Sequence, residues 1–163
     1  MVSELGATAQ AEGAQEALYA YWAGLGMQGR LPARADLRPS EMKSFLPMLS
    51  LTDVRTQDRF SFRLAGTGLY QVFGTEVTGR SLGEVYVGSA AEYWRRELSG
   101  IVVDRRPAIG VHSLGWRGAA HLSVLWMRLP LASNGQDVDM ILGYDALLGG
   151  DRAANRFSGI RAA

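Results

Sequence analysis

Few side chains in this sequence belong to types that do chemistry. His112 and His121 are its two histidines, and cysteine is absent. Without thiols there can be no disulfide, thiolate metal site, iron–sulfur cluster, cysteine nucleophile or photochemistry through a cysteinyl adduct. A metal would have to be held mostly by carboxylates, and no spaced His/Asp/Glu motif occurs. No phosphate-binding loop, dinucleotide fingerprint, paired catalytic carboxylates or serine–histidine–acid order stands in a recognisable context. What remains is two histidines, four tryptophans and sixteen arginines, none of them in a motif that specifies a reaction. The expected class is a non-enzyme, with no catalytic residues and no metal.

Charge narrows the partners. Sixteen of the seventeen basic residues are arginine, and Lys43 is the one lysine. They are interleaved with acids: the densest stretch, Arg95, Arg96, Arg105 and Arg106, also holds Glu92, Glu97 and Asp104. That pattern reads as a solvated, self-paired helix face. A net charge of +1 gives no electrostatic case for nucleic acid or an acidic membrane. No apolar run approaches the roughly 20 residues of a membrane-spanning helix. Met1 to Ala11 lacks the basic start and apolar core of a secretory signal, so a cytoplasmic location is expected.

The elements that must position these groups follow from periodicity. The 163 residues fit one domain. Residues 1–12 carry little to bury and are expected to be a flexible tail. Leu18, Tyr21, Trp22 and Leu25 then recur at helical spacing, and Gly24, Gly26 and Gly29 end that helix. A short helix with Met42, Phe45 and Leu46 on one side should stop at Pro47. Two strands follow at 48–55 and 60–66, the second alternating with Phe60, Phe62 and Leu64 on one side. Short helices near Leu69–Phe73 and on to Val87 are punctuated by glycine. Ser89-Ala90-Ala91-Glu92 is a capping box, opening a helix whose core stripe is Ala91, Trp94, Leu98 and Ile101. Strands at 108–114, 119–131 and 137–147 close the order, joined by Gly115–Gly118 and by Asn134-Gly135.

From residue 48 on, that order resembles the PAS fold: two strands, a helical side, then three antiparallel strands. Phe73-Gly74 followed by Val77-Thr78-Gly79-Arg80-Ser81-Leu82 resembles the family's run between its helices. Pro130-Leu131, Asn134-Gly135 and Ile141-Leu142-Gly143-Tyr144-Asp145 resemble its closing pattern. Further upstream, Tyr21-Trp22 and Gly29-Arg30-x-Pro32-x-Arg34-x-Asp36-x-x-Pro39 resemble a bacterial PAS subfamily with a helical N-terminal extension. The fold class so implied is α+β: a five-stranded antiparallel sheet with helices on one side, plus the extension. The expected organisation is a tail at 1–12, the helical extension at 13–47, a PAS domain at 48–148 and a tail at 149–163. The resemblance implies a sensor that holds a small molecule, forms a homodimer and reports to signalling proteins. A tail too short for an output domain makes association the expected exit for the signal. The cofactor, if any, is left unassigned.

Register proposes which side chains share the pocket. A turn centred on Trp116 and Arg117 sets His112 opposite Leu122 and Leu114 opposite Ala120. Val124, Trp126 and Arg128 then share the face of His112. The Asn134-Gly135 turn carries this on, placing Trp126 near Ile141, Val124 near Gly143 and Arg128 near Asp139. The resemblance assigns the ligand to the residues two, four and six before the strand-ending proline, which are Arg128, Trp126 and Val124. The candidate ligand-binding set is therefore His112, Val124, Trp126 and Arg128 with Phe62, Leu64, Tyr70, Phe73, Leu98, Ile141 and Gly143. A plainer reading stands beside each main candidate. Trp126 is also an ordinary core residue. Arg128 beside Asp139 is also a rim ion pair. His112 is also a hydrogen-bonded structural histidine, although an imidazole can ligate haem. Two other functions stay open: an adaptor whose cavity is plugged by Trp126, Phe62 and Phe73, and a small α+β isomerase relying on His112, Asp139 or Asp145. The opposite face, with Leu125 and Met127, is left for the N-terminal helix or a second protomer.

Overall fold

Alanine, glutamate and glutamine dominate the first dozen residues, and all three are strong helix formers. In the computed structural model, which describes residues 2–56 and 58–149, they are helical. Helix α1 runs Val2–Leu25 without a break. Residues 2–12 of the expected tail are thus the first half of a long helix, because propensity suffices where there is little to bury. The Met42–Leu46 segment differs as well. Single 3-10 turns flank it at Pro39–Glu41 and Leu46–Met48, and Pro47 sits inside the second turn rather than ending a helix. Proline fits the first turn of a helix, where its missing N–H would have no partner anyway.

Strands β1 (Leu49–Thr56) and β2 (Arg59–Ala65) precede three helices, α2 (Tyr70–Phe73), α3 (Leu82–Val85) and α4 (Ser89–Asp104). Strands β3 (Ala108–Leu114), β4 (Ala119–Leu131) and β5 (Met140–Gly149) complete the chain's described part. The expected tail from residue 150 on lies outside the described residues. Helix α4 begins where the capping box predicts, but without a side-chain cap at its N-cap, Gly88. The capping box forms instead at α3, where Ser81 N–H donates to Glu84 Oε2 at 2.6 Å.

The five strands make one antiparallel sheet in the order β2-β1-β5-β4-β3. Both faces are buried. On the inner face α2, α3 and α4 pack over Phe60, Phe62, Val124, Trp126 and Ile141. On the outer face Leu18 and Trp22 of α1 pack with Leu125, Met127 and Leu129. Two hydrogen bonds pin the helix: Gln15 Nε2 donates to the Leu125 carbonyl at 3.1 Å, and Trp22 Nε1 to the Pro130 carbonyl at 2.9 Å. The N-terminal stripe therefore covers the residues expected of it.

The sheet's two ends are unlike. Along β2, Phe62 N–H donates to the Arg80 carbonyl at 2.9 Å and Gly79 N–H donates to the Phe62 carbonyl at 2.6 Å. That stretch of chain thus occupies one edge of the sheet. At the other end, β3 pairs with β4 and with no further strand among the described residues.

Register differs from expectation in three places. In β2, Phe62 pairs with Thr52 and Leu64 with Leu51, so Arg63 is an extra residue. This β-bulge turns Leu64 to the outer face, away from Phe60 and Phe62. In the β3–β4 hairpin a shift between Ser113 and Leu114 sets His112 opposite Val124 rather than Leu122. The β4–β5 connection is longer than a two-residue turn and spans residues 132–139. Asn134 Oδ1 accepts the N–H groups of Gln136 and Asp137 at 2.9 and 2.8 Å, and Gly135 takes φ +78°. Trp126 consequently pairs with Asp145, Val124 with Leu147 and Arg128 with Gly143.

Candidate functional site

Strand alternation builds the inner wall. β3 supplies Gly110 and His112, β4 supplies Val124, Trp126 and Arg128, and β5 supplies Ile141, Gly143 and Asp145. Gly110 has no side chain because Trp126 lies across it: a Cβ there would sit 2.7 Å from the indole. Helix α4 brings Tyr93, Trp94, Leu98 and Ile101 down onto this wall, and Phe62, Phe73 and Tyr86 close one side.

The result is an aromatic interior. Tyr93 stacks on His112 with ring centroids 4.3 Å apart, and Trp94 meets the same imidazole edge-on at 5.5 Å. Trp94 and Trp126 lie 5.0 Å apart, and Tyr86 bridges Trp94 to Trp116 at 5.5 and 4.8 Å. Trp126 Nε1 donates to the Tyr93 hydroxyl at 3.0 Å.

One charge pair lies inside this shell. Arg128 Nη2 donates to both carboxylate oxygens of Asp145 at 3.0 Å, and Nη1 donates to the Met127 carbonyl at 3.0 Å. The two side chains are 4% and 2% exposed, which makes the pair a core feature rather than a rim one. The guanidinium carbon also stands 4.8 Å from the Trp94 ring centre, within cation–π range. Burial pushes the Asp145 carboxyl up and Arg128 pulls it back, burial being the larger effect. Arg128 thus meets Asp145, not Asp139, whose carboxylate accepts the Ser133 N–H at 3.1 Å instead.

Three polar atoms in the same shell have no partner. They are His112 Nδ1, Trp94 Nε1 and Trp116 Nε1, all buried. Burial also lowers the His112 pKa to about 4, so its imidazole is neutral at neutral pH. A neutral imidazole offers one donor and one acceptor.

Of the eleven sequence-derived candidates, the fold brings together Phe62, Phe73, Leu98, Val124, Trp126 and Ile141 in the inner core. His112, Arg128 and Gly143 join them through the ring contacts and strand pairing above. Leu64 and Tyr70 do not join. Leu64 is on the outer face, where the bulge puts it, and is 45% exposed. Tyr70 is 62% exposed, because the single turn of α2 commits Val72 and Phe73 to the core. Gly143 faces Arg128 rather than Val124, and the room it leaves is taken by Ser50 and Arg128. Sequence reasoning did not put Tyr86, Tyr93, Trp94 or Trp116 in the site. Trp94 lay on the predicted core stripe of α4, which was the usable signal. Trp116 was read only as part of a turn.

Three cavities lined by described residues lie outside this interior. One of about 720 Å³ sits between β2 and α3–α4, one of about 770 Å³ beneath the Arg34–Met42 connector, and one of about 430 Å³ between α1 and β3. None of the three is lined by His112, Trp126 or Arg128. Among the described residues, no group of His, Asp and Glu is arranged to hold a metal, and no helix is long and apolar enough to cross a membrane.

One solved structure fits this geometry at the level of fold. The dark structure of the blue-light photoreceptor Aureochrome1 LOV superposes with TM-score 0.51 at 12% identity, covering 72% of this chain and 86% of that one. A fungal LOV domain photoreceptor gives 0.43 at 19% identity, covering 61% of this chain and 73% of that one. An RNA-binding light-oxygen-voltage receptor gives 0.47 at 15% identity, covering 82% of this chain and 40% of that one. No curated protein matches the sequence. The PAS domain profile, however, matches residues 11–146, from the middle of α1 into strand β5. With the sheet order, the helical inner side and that match in hand, the chain belongs to the PAS domain family.

Proposed function

We propose that this chain is a cytoplasmic PAS sensor module, not an enzyme, that binds a small molecule in its aromatic interior and signals by changing its protein contacts. The observation that carries this reading is the set of buried, unpartnered nitrogens on His112, Trp94 and Trp116. Buried polar groups are almost always hydrogen-bonded, and those that are not call for an explanation. A flat molecule carrying two acceptors would satisfy both indole N–H groups, and the His112 imidazole would take a further donor or acceptor. The structural neighbours are described as light receptors, but a response through a cysteinyl adduct is closed to a chain without cysteine.

Signalling then requires different partner affinities in the filled and empty states. Coupling of this kind is typically about 1–3 kcal/mol, or 5–150-fold in affinity. The surface proposed to carry it is α1 with the outer sheet face, either toward a second copy or toward a signalling partner.

A second reading has its own support. The interior is filled by its own rings, with Trp94 and Trp126 nearly inaccessible, as in a plugged, ligand-free adaptor. Native mass spectrometry of the purified protein, followed by calorimetric titration of any extracted molecule, separates the two. The sensor reading expects a bound species whose affinity falls in Trp94→Phe and His112→Phe variants. Empty protein, with partner affinity unchanged by any compound that binds, would leave the adaptor.

A further inference from the structure

The cavity of about 430 Å³ between α1 and β3 is chemically unlike the interior and lies on the other side of the sheet. Leu125 and Met127 of β4 line it together with Ile109 of the edge strand β3. From α1 come Glu12, Gln15, Glu16 and Tyr19, the i, i+3, i+4, i+7 spacing of one helix face. Its volume falls in the ~300–1,000 Å³ range of small-molecule pockets.

Two features say what it would take. Gln15 is 3% exposed, and its Nε2 is committed to the Leu125 carbonyl, which fixes the orientation of the amide. Its Oε1 is buried and has no donor. A buried amide oxygen in that state wants an N–H or O–H. The ionisable side chains lining the cavity other than Tyr19 are Glu12, three residues before Gln15, and Glu16, directly after it, both exposed. Arg105 and Arg106 precede Pro107 at the far end but do not line the cavity.

An apolar floor, a buried acceptor and two carboxylates on one helix face suit a particular ligand. We propose that this cavity binds a small hydrophobic amine, its apolar body on Leu125, Met127 and Ile109 and its ammonium group near Gln15, Glu12 and Glu16. The site is independent of the interior one.

The test uses the full isotope-labelled chain and three probes of similar size: 2-phenylethylamine, 2-phenylethanol and 3-phenylpropanoate. The amine is expected to shift the backbone amides of Ile109 and Gly110, and to bind at least about fivefold more tightly than the carboxylate, as two exposed charges allow. The Glu12→Gln/Glu16→Gln variant, altered only at exposed positions, should lower amine affinity about fivefold and leave the alcohol unchanged. A Gln15→Met variant that remains folded should weaken amine and alcohol alike, since both donate to Oε1. Equal binding of amine and carboxylate would overturn the proposal, as would shifts confined to Tyr93, Trp94 and Trp126. The latter outcome would leave the interior reading standing while removing this one.

Discussion

Arg128 reaches past Gly143, its direct partner across the β4–β5 ladder, to close a buried ion pair with Asp145 two residues further along. The path exists because position 143 has no side chain. A Cβ there would lie 2.4 Å from Ser50 Oγ and 3.1 Å from Arg128 Nη1. Gly143→Ala should therefore force Ser50 aside, crowd the Arg128 guanidinium and lower stability by about 1–3 kcal/mol, as overpacking does. Urea unfolding followed by tryptophan fluorescence would measure this; an unchanged midpoint would mean Ser50 and Arg128 yield without cost.

The ion pair itself should be expensive to break singly and cheap to replace jointly. Arg128→Met leaves a buried carboxylate uncompensated and should cost about 3–5 kcal/mol at neutral pH. Asp145 then keeps the upward push of burial and loses the opposing pull of Arg128. A carboxyl whose folded pKa lies above its unfolded value binds protons more readily when folded, so this variant should regain stability as pH falls through that raised pKa toward the ordinary carboxylate range. The double variant Arg128→Met/Asp145→Leu should return close to the parent. A double variant as unstable as the single would show that the pair's value is geometric rather than electrostatic.

His112 gives the opposite sign. Its pKa is lowered to about 4 by burial, against an ordinary 6.5. The unfolded chain thus takes up a proton below about pH 6.5 that the folded one refuses until about pH 4. Stability is full above the upper value and declines through this window. With partial solvent screening at the half-buried ring, the loss should be about 1–2 kcal/mol. Chemical denaturation between pH 7.5 and 4 should show this decline, and His112→Phe, which keeps a ring against Tyr93, should flatten it. An identical decline in the variant would assign the effect to carboxylates.

Docking of α1 rests on Trp22, which is 8% exposed and hydrogen-bonded to the Pro130 carbonyl. Trp22→Ala should cost about 3–5 kcal/mol, the usual range for deleting a buried aromatic. Trp22→Phe, which keeps a ring but loses the N–H, should cost about 1–3 kcal/mol, the penalty of leaving a buried carbonyl unpaired. Removing residues 1–27 should uncover Leu125 and Met127 and make the protein aggregate, which light scattering would detect. A truncated chain that stays monodisperse and equally stable would show that the helix is dispensable.

The inner face was legible in the sequence because its errors of register were even. The hairpin register was displaced by two residues and the β4–β5 register by four, and both displacements are even. Side chains alternate with period two, so an even slip changes the partners yet keeps the face. His112, Val124, Trp126 and Arg128 therefore share a face although none of their expected partners is right. Leu64 shows the converse: one extra residue, Arg63, is an odd displacement, and it moves Leu64 to the other side of the sheet. A bulge leaves no mark in an alternating pattern such as Phe60-Ser61-Phe62-Arg63-Leu64. Asp145 escaped as the partner of Arg128 because the length of the 132–139 loop depends on side-chain bonds from Asn134. Those bonds extend a turn that composition alone describes as tight.

The unequal ends of the sheet limit how copies of the chain could associate by strand pairing. The β2 end is occupied by its own chain at Gly79–Ser81, so it cannot accept a neighbour without losing those bonds. Among the described residues only β3 presents a free ladder. Growth by repeated strand addition needs two open edges per molecule, whereas one edge supports a single closed event: two copies meeting β3 to β3 about a two-fold axis. Strand pairing among the described residues thus permits a pair and blocks a filament.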